Sequence, residues 1–398
     1  MGMSPYGARL LPRAVVRPFL PLLLGILACG RAAPIATVPF DGPGHLVFVH
    51  VTAGQRDAGW WMLDSGFEYS VVSTQTADAL GLARGAASGV PQPGGTVEEA
   101  WTRAVALAFG GVPFRAESLA VIDLSGLEPI VGRRIGGILG HDVFVRYVMG
   151  IDYGASTIDV HEPATFTYRG AGVELPLWIE HGEPFFVAQL FADGRMAPAK
   201  LKLDTGSMDF IGLNGSFVDQ TNLVAASRAR IPALGAALGG NPEHFLTRLD
   251  SMVVGPWAVK RPVMGYSASL ERDGDAGTVG ADFLRRFHPI FDYARRRLIL
   301  ESQPTLADAT PVDASGLMLV ATGERFDTLQ VLSVAKDSPA MEAGLGPGDR
   351  ITAWADIGEP LTLDAARRRL AQPGQRLDLV VERAGARRTI SLRTRERI

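Results

Sequence analysis

Two short segments place an aspartate, a small hydroxyl residue and a glycine in succession. Residues 64–66 read Asp-Ser-Gly and residues 204–206 read Asp-Thr-Gly, an offset of 140 residues. Two carboxyl groups held together can divide acid and base roles between them. A single tripeptide of this kind is weak evidence, because Asp and Gly are also common in turns. Two copies at matching positions indicate paired carboxylate chemistry.

The sequence around the two tripeptides repeats at the same offset. Gly140 and Gly280 each follow an apolar or Thr-Val pair, 76 residues after the aspartate in both copies. The dipeptide Asp-Tyr at 152–153 returns at 292–293, and the strand-like run 45–49 matches 185–189. Because the spacing is duplicated, we expect two tandem lobes that could pack about a pseudo-twofold axis. A duplicated binding module without chemistry would give the same repeat.

Both copies are typical of all-β domains. Short β-branched and aromatic runs alternate with Gly, Pro and Asp, and helical patterns are confined to short pieces after each motif. The expected fold class is therefore mainly β, with two β-barrel-like lobes of ordinary domain size, lobe 1 over residues 35–165 and lobe 2 over residues 166–302.

Residues 35–302 resemble the retropepsin-like aspartic proteases of the pepsin clan, in which one Asp-Thr/Ser-Gly and one later apolar-apolar-Gly element per lobe build half an active site. The resemblance implies that Asp64 and Asp204 are the catalytic pair. Two carboxylates about 3 Å apart share one proton, so one member activates a water and the other protonates the scissile carbonyl. Peptide-bond hydrolysis would then need no metal and no cofactor.

The resemblance assigns supporting roles to further residues. The hydroxyl residues would lock the two loops together, the adjacent glycines would permit close backbone approach, the later glycines would pack beneath the loops, and glycine-rich hairpins would form flaps. These positions are Ser65 and Thr205, Gly66 and Gly206, Gly140 and Gly280, and the flap candidates Gly94, Gly95, Gly239 and Gly240. The two flap segments differ in composition, which predicts an asymmetric cleft.

Three positions depart from the family pattern. Phe67 follows the first motif where a small residue is usual, whereas Ser207 follows the second as expected. Ser65 in place of threonine keeps the hydroxyl, and Thr278 replaces an apolar residue by a β-branched one. The first copy is thus the less typical of the two.

The last part of the chain reads as a separate unit. Residues 303–313 have the character of a linker, and residues 314–398 resemble a bacterial PDZ domain through Ser-Pro-Ala at 338–340, Ala-Gly-Leu at 343–345 and Gly-Asp-Arg-Ile at 348–351. The resemblance implies capture of a peptide C-terminus or extended segment by a carboxylate-binding loop. That loop would comprise Gly316, Leu317, Met318 and Leu319. A packing module with a closed groove is the alternative.

The amino terminus predicts export. Residues 1–28 carry three arginines before an apolar run of ten residues, too short to span a bilayer. Cys29 follows directly, which resembles a bacterial lipobox and implies a lipid anchor on that cysteine. The expected location is the periplasm or cell envelope, and Gly30 favours the outer membrane over the inner one. An ordinary secretory signal with an incidental cysteine is the alternative.

Composition excludes several classes of protein. The 398 residues suffice for two or three domains, and 47% hydrophobic with 20% charged residues is ordinary globular usage. A net charge of −3 gives no support for nucleic acid as a partner. One cysteine and seven histidines exclude a disulfide framework and a cysteine-rich metal site.

Together these observations predict an exported aspartic endopeptidase whose substrates are polypeptides, with a PDZ domain that recruits substrate or partner. The competing interpretation is a non-catalytic envelope scaffold in which only the PDZ domain binds peptide. Pairing of lobes between two chains is a third possibility, which the duplicated spacing within one chain makes less economical.

Overall fold

The computed structural model describes residues 1–2, 33–92, 95–234, 243–267, 274–355 and 360–398. Most of the predicted signal peptide, Cys29, and the flap candidates Gly94, Gly239 and Gly240 lie outside the described residues. The predicted mainly β class is confirmed for the described chain. No helix in these described ranges has the length and apolar character needed to cross a bilayer.

Lobe 1 is built from short strands that bury alternate side chains. In the hairpin 105–116, for example, every second residue is buried and those between are mostly exposed, which is the period of a half-buried strand. Its elements are β1 (Ala36–Pro39), β2 (Phe48–Ala53), β3 (Arg56–Leu63), β4 (Val71–Ser73), α1 (Thr74–Ala79), β5 (Ser88–Gln92), β6 (Gly95–Trp101), β7 (Val105–Phe109), β8 (Val112–Ala116), β9 (Ala120–Ile122), α2 (Glu128–Val131), β10 (Gly137–Leu139), α3 (His141–Phe144), β11 (Val148–Asp152) and β12 (Thr157–His161).

Lobe 2 repeats this arrangement. Its elements are β13 (Val173–Pro176), β14 (Trp178–Glu180), β15 (Glu183–Ala192), β16 (Arg195–Leu203), β17 (Ile211–Asn214), α4 (Gly215–Thr221), β18 (Ile231–Leu234), β19 (Glu243–Arg248), β20 (Ser251–Val254), β21 (Trp257–Lys260), β22 (Val263–Ser267), β23 (Gly277–Val279), α5 (Ala281–Leu284), β24 (Phe287–Asp292) and β25 (Arg297–Ser302). Short 3-10 helices lie at Pro43–His45, Tyr293–Arg295 and Pro304–Ala307.

One sequence expectation fails at its first residues. The run 45–49 is strand-like in sequence, but β2 begins only at Phe48. His45 belongs instead to a 3-10 turn, in which Pro43 occupies the first position and Gly44 has a φ of 59°. Proline and a left-handed glycine favour a turn over a strand.

The two lobes have the same sheet topology. The lobe 1 sheet runs β5-β6-β9-β4-β10-β3-β2-β7-β8, and the lobe 2 sheet runs β18-β19-β22-β17-β23-β16-β15-β20-β21. In both, the strand that precedes the later glycine lies between two others: β10 is parallel to β3 and antiparallel to β4, and β23 is parallel to β16 and antiparallel to β17. The sequence repeat is therefore also a repeat of strand order and direction.

A six-stranded sheet joins the lobes. Its order is β1-β12-β11-β24-β25-β13, and the central pair is formed by one strand from each lobe. Gly150 lies opposite Ile290, its own counterpart at the 140-residue offset. The rings of Phe144 and Phe291 meet edge to face across this junction at 5.3 Å between centroids. The lobes are thus related by a pseudo-twofold axis that passes through this strand pair.

The C-terminal module has its own sheet and core. It comprises β26 (Leu317–Thr322), β27 (Thr328–Val334), α6 (Pro339–Glu342), β28 (Arg350–Trp354), α7 (Leu363–Leu370), β29 (Arg376–Arg383) and β30 (Ala386–Arg393), with the five strands in sequential order. The start of α7 is capped by the Thr362 hydroxyl. A separate cluster of buried apolar residues, including Trp354, fills this module.

The module packs against lobe 1. The Gly44 amide donates to the Asp364 carboxylate at 3.0 Å. A Cβ built on Gly132, just after α2, would lie 3.4 Å from Leu363 Cβ and 3.7 Å from Ala321 Cβ. Lobe 1 therefore contacts both α7 and the edge strand β26, the two elements that would flank a peptide groove.

Candidate active site

The two aspartates are positioned by identical local structures. Asp64 follows β3 and its amide donates to Leu139 O at 2.9 Å; Asp204 follows β16 and its amide donates to Val279 O at 3.0 Å. Within each loop the glycine amide donates to the carboxylate of its own aspartate, at 2.8 Å in lobe 1 and 2.9 Å in lobe 2. Backbone hydrogen bonds therefore fix the orientation of both carboxyl groups.

Reciprocal hydrogen bonds connect the two loops. The Ser65 hydroxyl donates to Leu203 O at 2.8 Å, and the Thr205 hydroxyl donates to Leu63 O at 2.7 Å. Each hydroxyl oxygen also accepts from the backbone amide of the other residue, at 2.9 Å and 3.1 Å. Both side chains are fully buried, so each of these hydrogen bonds would be costly to leave unmade.

The loops bring the two carboxyl groups together. Each carboxyl group reaches the glycine of the opposite loop, so Asp64 and Asp204 face one another between the loops. A Cβ built on Gly66 would lie 2.6 Å from Asp204 Cγ, and one built on Gly206 would lie 2.4 Å from Asp64 Cγ. Only glycine leaves room for each carboxyl group to reach the opposite loop.

The later glycines lie beneath the loops in both lobes. A Cβ on Gly140 would lie 2.3 Å from Tyr69 O, and a Cβ on Gly280 would lie 2.6 Å from Ser207 O. The residue after each glycine donates its amide to the carbonyl after the motif, His141 to Phe67 and Ala281 to Ser207. The two elements that the sequence analysis paired thus support their loops by the same contacts.

Burial and charge perturb the dyad. Removal from water raises the pKa of the Asp64 carboxyl well above its usual range, and the negative charge of Asp204 raises it further. The nearby Lys202 ammonium opposes this rise in the Asp64 pKa. Burial, together with the charges of Asp64, Asp204 and Glu183, also raises the pKa of the Tyr293 hydroxyl. A buried carboxyl pair that shares one proton can act as general acid and general base at once.

Sequence reasoning missed one pair of residues at the dyad. Lys202 Nζ lies 3.6 Å from Asp204 Oδ2 and 3.1 Å from Glu183 Oε1. The alternation of a strand places residues 202 and 204 on the same face, which was the available signal for Lys202. Glu183 carries no such signal, because the antiparallel pairing of β15 with β16 brings it near.

The flap candidates are partly described. Gly95 opens β6, and its strand pairs with β5 so that Gln92 lies opposite Gly95. In lobe 2, β18 pairs with β19 and Leu234 lies opposite Glu243. Both candidate flap segments therefore connect the strands of an antiparallel hairpin.

The loop predicted to bind a peptide carboxylate is already hydrogen-bonded within the module. The Gly316 amide donates to Asp313 Oδ2 at 2.6 Å, and the Leu317 amide donates to the Ser315 hydroxyl at 3.0 Å. Leu317 and Leu319 are buried in the module core, and Met318 between them is half-buried. Two of the four candidate backbone donors thus have partners in this structure.

Other candidate sites are few. Within the described ranges, no three His, Cys, Asp or Glu side chains are grouped as metal ligands would be. Trp61 is fully buried in the lobe core, whereas Trp60 is 37% exposed. It lies one residue out of phase with Trp61 on β3 and so faces the other side of the sheet.

Comparison with known proteins agrees with the geometry of lobe 1. Among curated proteins, no sequence matches this chain. A family model described as aspartyl protease matches residues 49–143, which include Asp64, its loop and Gly140. The match supports a protease-like function, and over these residues of lobe 1 the chain is similar to the aspartyl protease family.

Proposed function

We propose that this chain is an aspartic endopeptidase in which Asp64 and Asp204 activate water to hydrolyse peptide bonds. The observation that carries the proposal is the approach of each carboxyl group to the glycine of the opposite loop, held by reciprocal contacts of Ser65 and Thr205. The family match of lobe 1 supports the same reaction class. Lobe 2 supplies the second carboxyl group with matching geometry.

The proposed reaction divides acid and base roles between the carboxyl groups. The ionised member takes a proton from a water molecule, whose oxygen attacks the scissile carbonyl carbon, while the protonated member donates to the carbonyl oxygen. Breakdown of the tetrahedral intermediate breaks the C–N bond, and the departing nitrogen receives the proton that was taken from water. As the carbonyl re-forms, the other carboxylate takes a proton back from a hydroxyl of the intermediate. The pair ends with one proton, as it began.

The test is peptide cleavage by residues 30–398. The protein is incubated with a denatured peptide library from acidic to neutral pH and the products are read by mass spectrometry. We expect cleavage that falls by about 10³-fold or more in Asp64→Asn and in Asp204→Asn, because each substitution removes one proton-transfer group.

The matched control is Asp57→Asn. Asp57 lies on β3, the strand that leads to Asp64, and its side chain is 72% exposed. Circular dichroism and thermal unfolding establish that all variants are folded. Equal product patterns in wild type and both dyad variants, or no cleavage at any pH, would contradict the proposal. The chain would then be a non-catalytic scaffold.

We further propose that the C-terminal module is a PDZ domain that engages polypeptide. Its edge strand β26 and helix α7 provide the arrangement that strand addition requires. Because lobe 1 contacts both elements and the loop amides of Gly316 and Leu317 donate to Asp313 and Ser315, a ligand would have to displace these contacts. Titration of the whole chain with C-terminal peptides, beside a Leu319→Glu variant, tests this; identical binding by both proteins would contradict it.

The export signal leads to a third proposal, that Cys29 carries a lipid anchor in a bacterial envelope. Mass spectrometry of the full chain expressed in a Gram-negative host should find a diacylglyceryl thioether on Cys29, and Cys29→Ser should release the protein from the outer-membrane fraction. An unmodified Cys29 in the wild-type protein would leave only the secretory interpretation.

A further inference from the structure

One charged pair lies against the dyad on the side of lobe 2. Lys202 Nζ is 3.6 Å from Asp204 Oδ2, donates to the Gly66 carbonyl oxygen at 3.3 Å and to Glu183 Oε1 at 3.1 Å. The side chains of Lys202 and Glu183 are only 14% and 7% exposed. One ammonium therefore contacts both active-site loops, and little water screens it from the carboxyl groups.

The pseudo-twofold axis does not repeat this pair. The residue of lobe 1 at the position of Lys202 is Met62, and the one at the position of Glu183 is Pro43. Met62 is buried among apolar residues that include Phe48 and Ile138. A thioether carries no charge and donates no hydrogen bond, so this position in lobe 1 offers no cation to Asp64.

We infer that Lys202, held by Glu183, is a positioning residue that makes the dyad asymmetric: its ammonium keeps the negative charge on Asp204 and leaves the shared proton on Asp64. The catalytic meaning of this inference rests on the proposed function, since it assigns Asp204 as the base that takes the proton from water and Asp64 as the acid. The location of the charge does not depend on that function.

Two physical effects act in the same direction. The ammonium lies directly against the Asp204 carboxyl group, so ionisation there gains the larger Coulomb attraction. Asp64 is buried whereas Asp204 is partly exposed, so burial disfavours charge on Asp64 more strongly. The raised pKa of Asp64, caused first by burial, agrees with this assignment.

Other titratable groups surround the pair. Burial, together with the charge of Asp204, raises the pKa of Asp209. Burial and the charges of Asp64, Asp204 and Glu183 raise the pKa of the Tyr293 hydroxyl. Those that face the dyad or its immediate neighbours are Asp209, Glu183, Tyr293, His141, His244 and Asp282. Most of these can only be neutral or negative, so the attraction of Lys202 opposes their combined repulsion of charge on the dyad.

The test follows the dyad directly as well as through activity. Protein labelled with ¹³C at the aspartate carboxyl carbons is titrated by NMR, and the two signals are assigned with Asp64→Asn and Asp204→Asn. In Lys202→Met, which reproduces the lobe 1 residue, loss of the cation should raise the dyad titration by about 1 to 3 pH units. The pH profile of kcat/KM should move upward with it.

Matched variants separate charge from structure. Glu183→Gln removes the carboxylate that partly neutralises the Lys202 ammonium, so the dyad titration should move in the opposite direction, to lower pH. Lys202→Arg retains the cation and should stay close to wild type. Lys200→Met is the control on the same strand, because Lys200 pairs with Glu180 away from the dyad and should leave the titration unchanged.

The outcomes distinguish the two proposals. If the dyad of folded Lys202→Met titrates as in wild type, or shifts to lower pH, the inference is wrong even if wild type cleaves peptides. If wild type cleaves nothing but its dyad titration moves with Lys202 and Glu183 in opposite directions, the charge assignment holds and the peptidase proposal fails.

Discussion

The loop of Asp64 and the loop of Asp204 have the same backbone and different surroundings. In each loop the aspartate amide donates to a strand carbonyl and the glycine amide donates to the aspartate carboxylate. A buried hydroxyl from the opposite lobe donates to the carbonyl just before the aspartate. Beside these matching contacts, lobe 1 places Met62 in an apolar cluster and lobe 2 places Lys202 against the dyad. Duplication thus preserves the contacts that fix position, while charge differs between the copies.

This difference has a chemical reason. A pair of carboxyl groups that shares one proton needs equal access to both from a water molecule, which a twofold scaffold provides. The reaction itself needs one acid and one base, and two identical environments would leave that assignment undecided. A single cation on one side decides it without disturbing the symmetric hydrogen bonds.

Substitution of the two loop glycines, which both lobes share, should have the largest effect on cleavage. Gly66→Ala and Gly206→Ala each place a methyl group within 2.6 Å of the opposite carboxyl carbon, so the dyad must separate. Because displacement of about 1 Å costs about 10²-fold in rate, we expect at least that loss of kcat/KM in both variants. Gly212→Ala is the control, since a Cβ there has no neighbour within 4 Å and should leave cleavage unchanged. Full activity in either loop variant would contradict the dyad geometry.

The reciprocal hydroxyl contacts should contribute equally to stability. Ser65→Ala and Thr205→Ala each remove a buried hydroxyl that donates to one carbonyl and accepts from one amide. Each should lower the free energy of unfolding by about 1–3 kcal/mol, measured by denaturant titration. Thr205→Ser, which keeps the hydroxyl and copies lobe 1, should cost less than Thr205→Ala. Clearly unequal losses in the two alanine variants would break the proposed equivalence of the loops.

The raised pKa of Asp64 predicts a pH dependence of stability. The unfolded carboxyl ionises near 3.8, whereas the folded one keeps its proton to higher pH. This group therefore stabilises the fold most below that unfolded pKa, and its contribution is lost as pH rises through the folded value, at up to about 1.4 kcal/mol per pH unit. Asp64→Asn, compared with wild type by thermal unfolding, should gain relative stability as pH rises. A constant difference across that range would contradict the prediction.

The smallest effect concerns the position that departs from the family pattern. The half-buried Phe67 ring meets Tyr69 edge to face at 5.6 Å between centroids, whereas lobe 2 has Ser207 at the same position. Phe67→Ser should cost about 1 kcal/mol of stability and leave cleavage in place, since the side chain is a packing element. A double-mutant cycle with Tyr69→Leu should give a coupling energy of about 0.5–1.5 kcal/mol. A coupling energy of zero would contradict this packing role and assign the Phe67 side chain to the cleft instead.

The repeat, and with it the residues of the two loops, could be predicted from the sequence alone. A constant offset relates Asp64 to Asp204 and Gly140 to Gly280, because the same loop backbone in both lobes requires the same residue types. The mainly β class also follows from local pattern, since it depends on short-range periodicity and turn residues.

The side-chain contacts across strands and between domains could not be predicted in this way. The contact of Lys202 with Glu183 and Asp204 depends on the register of β15 with β16 and on the approach of the lobes. The packing of Gly132 against Leu363 likewise joins residues 231 positions apart in the chain. Local sequence carries no signal for such contacts, because they arise when distant segments are brought together by burial of a shared core. The repeat therefore predicted where the carboxyl groups stand, and the packing of the lobes decided which charges surround them.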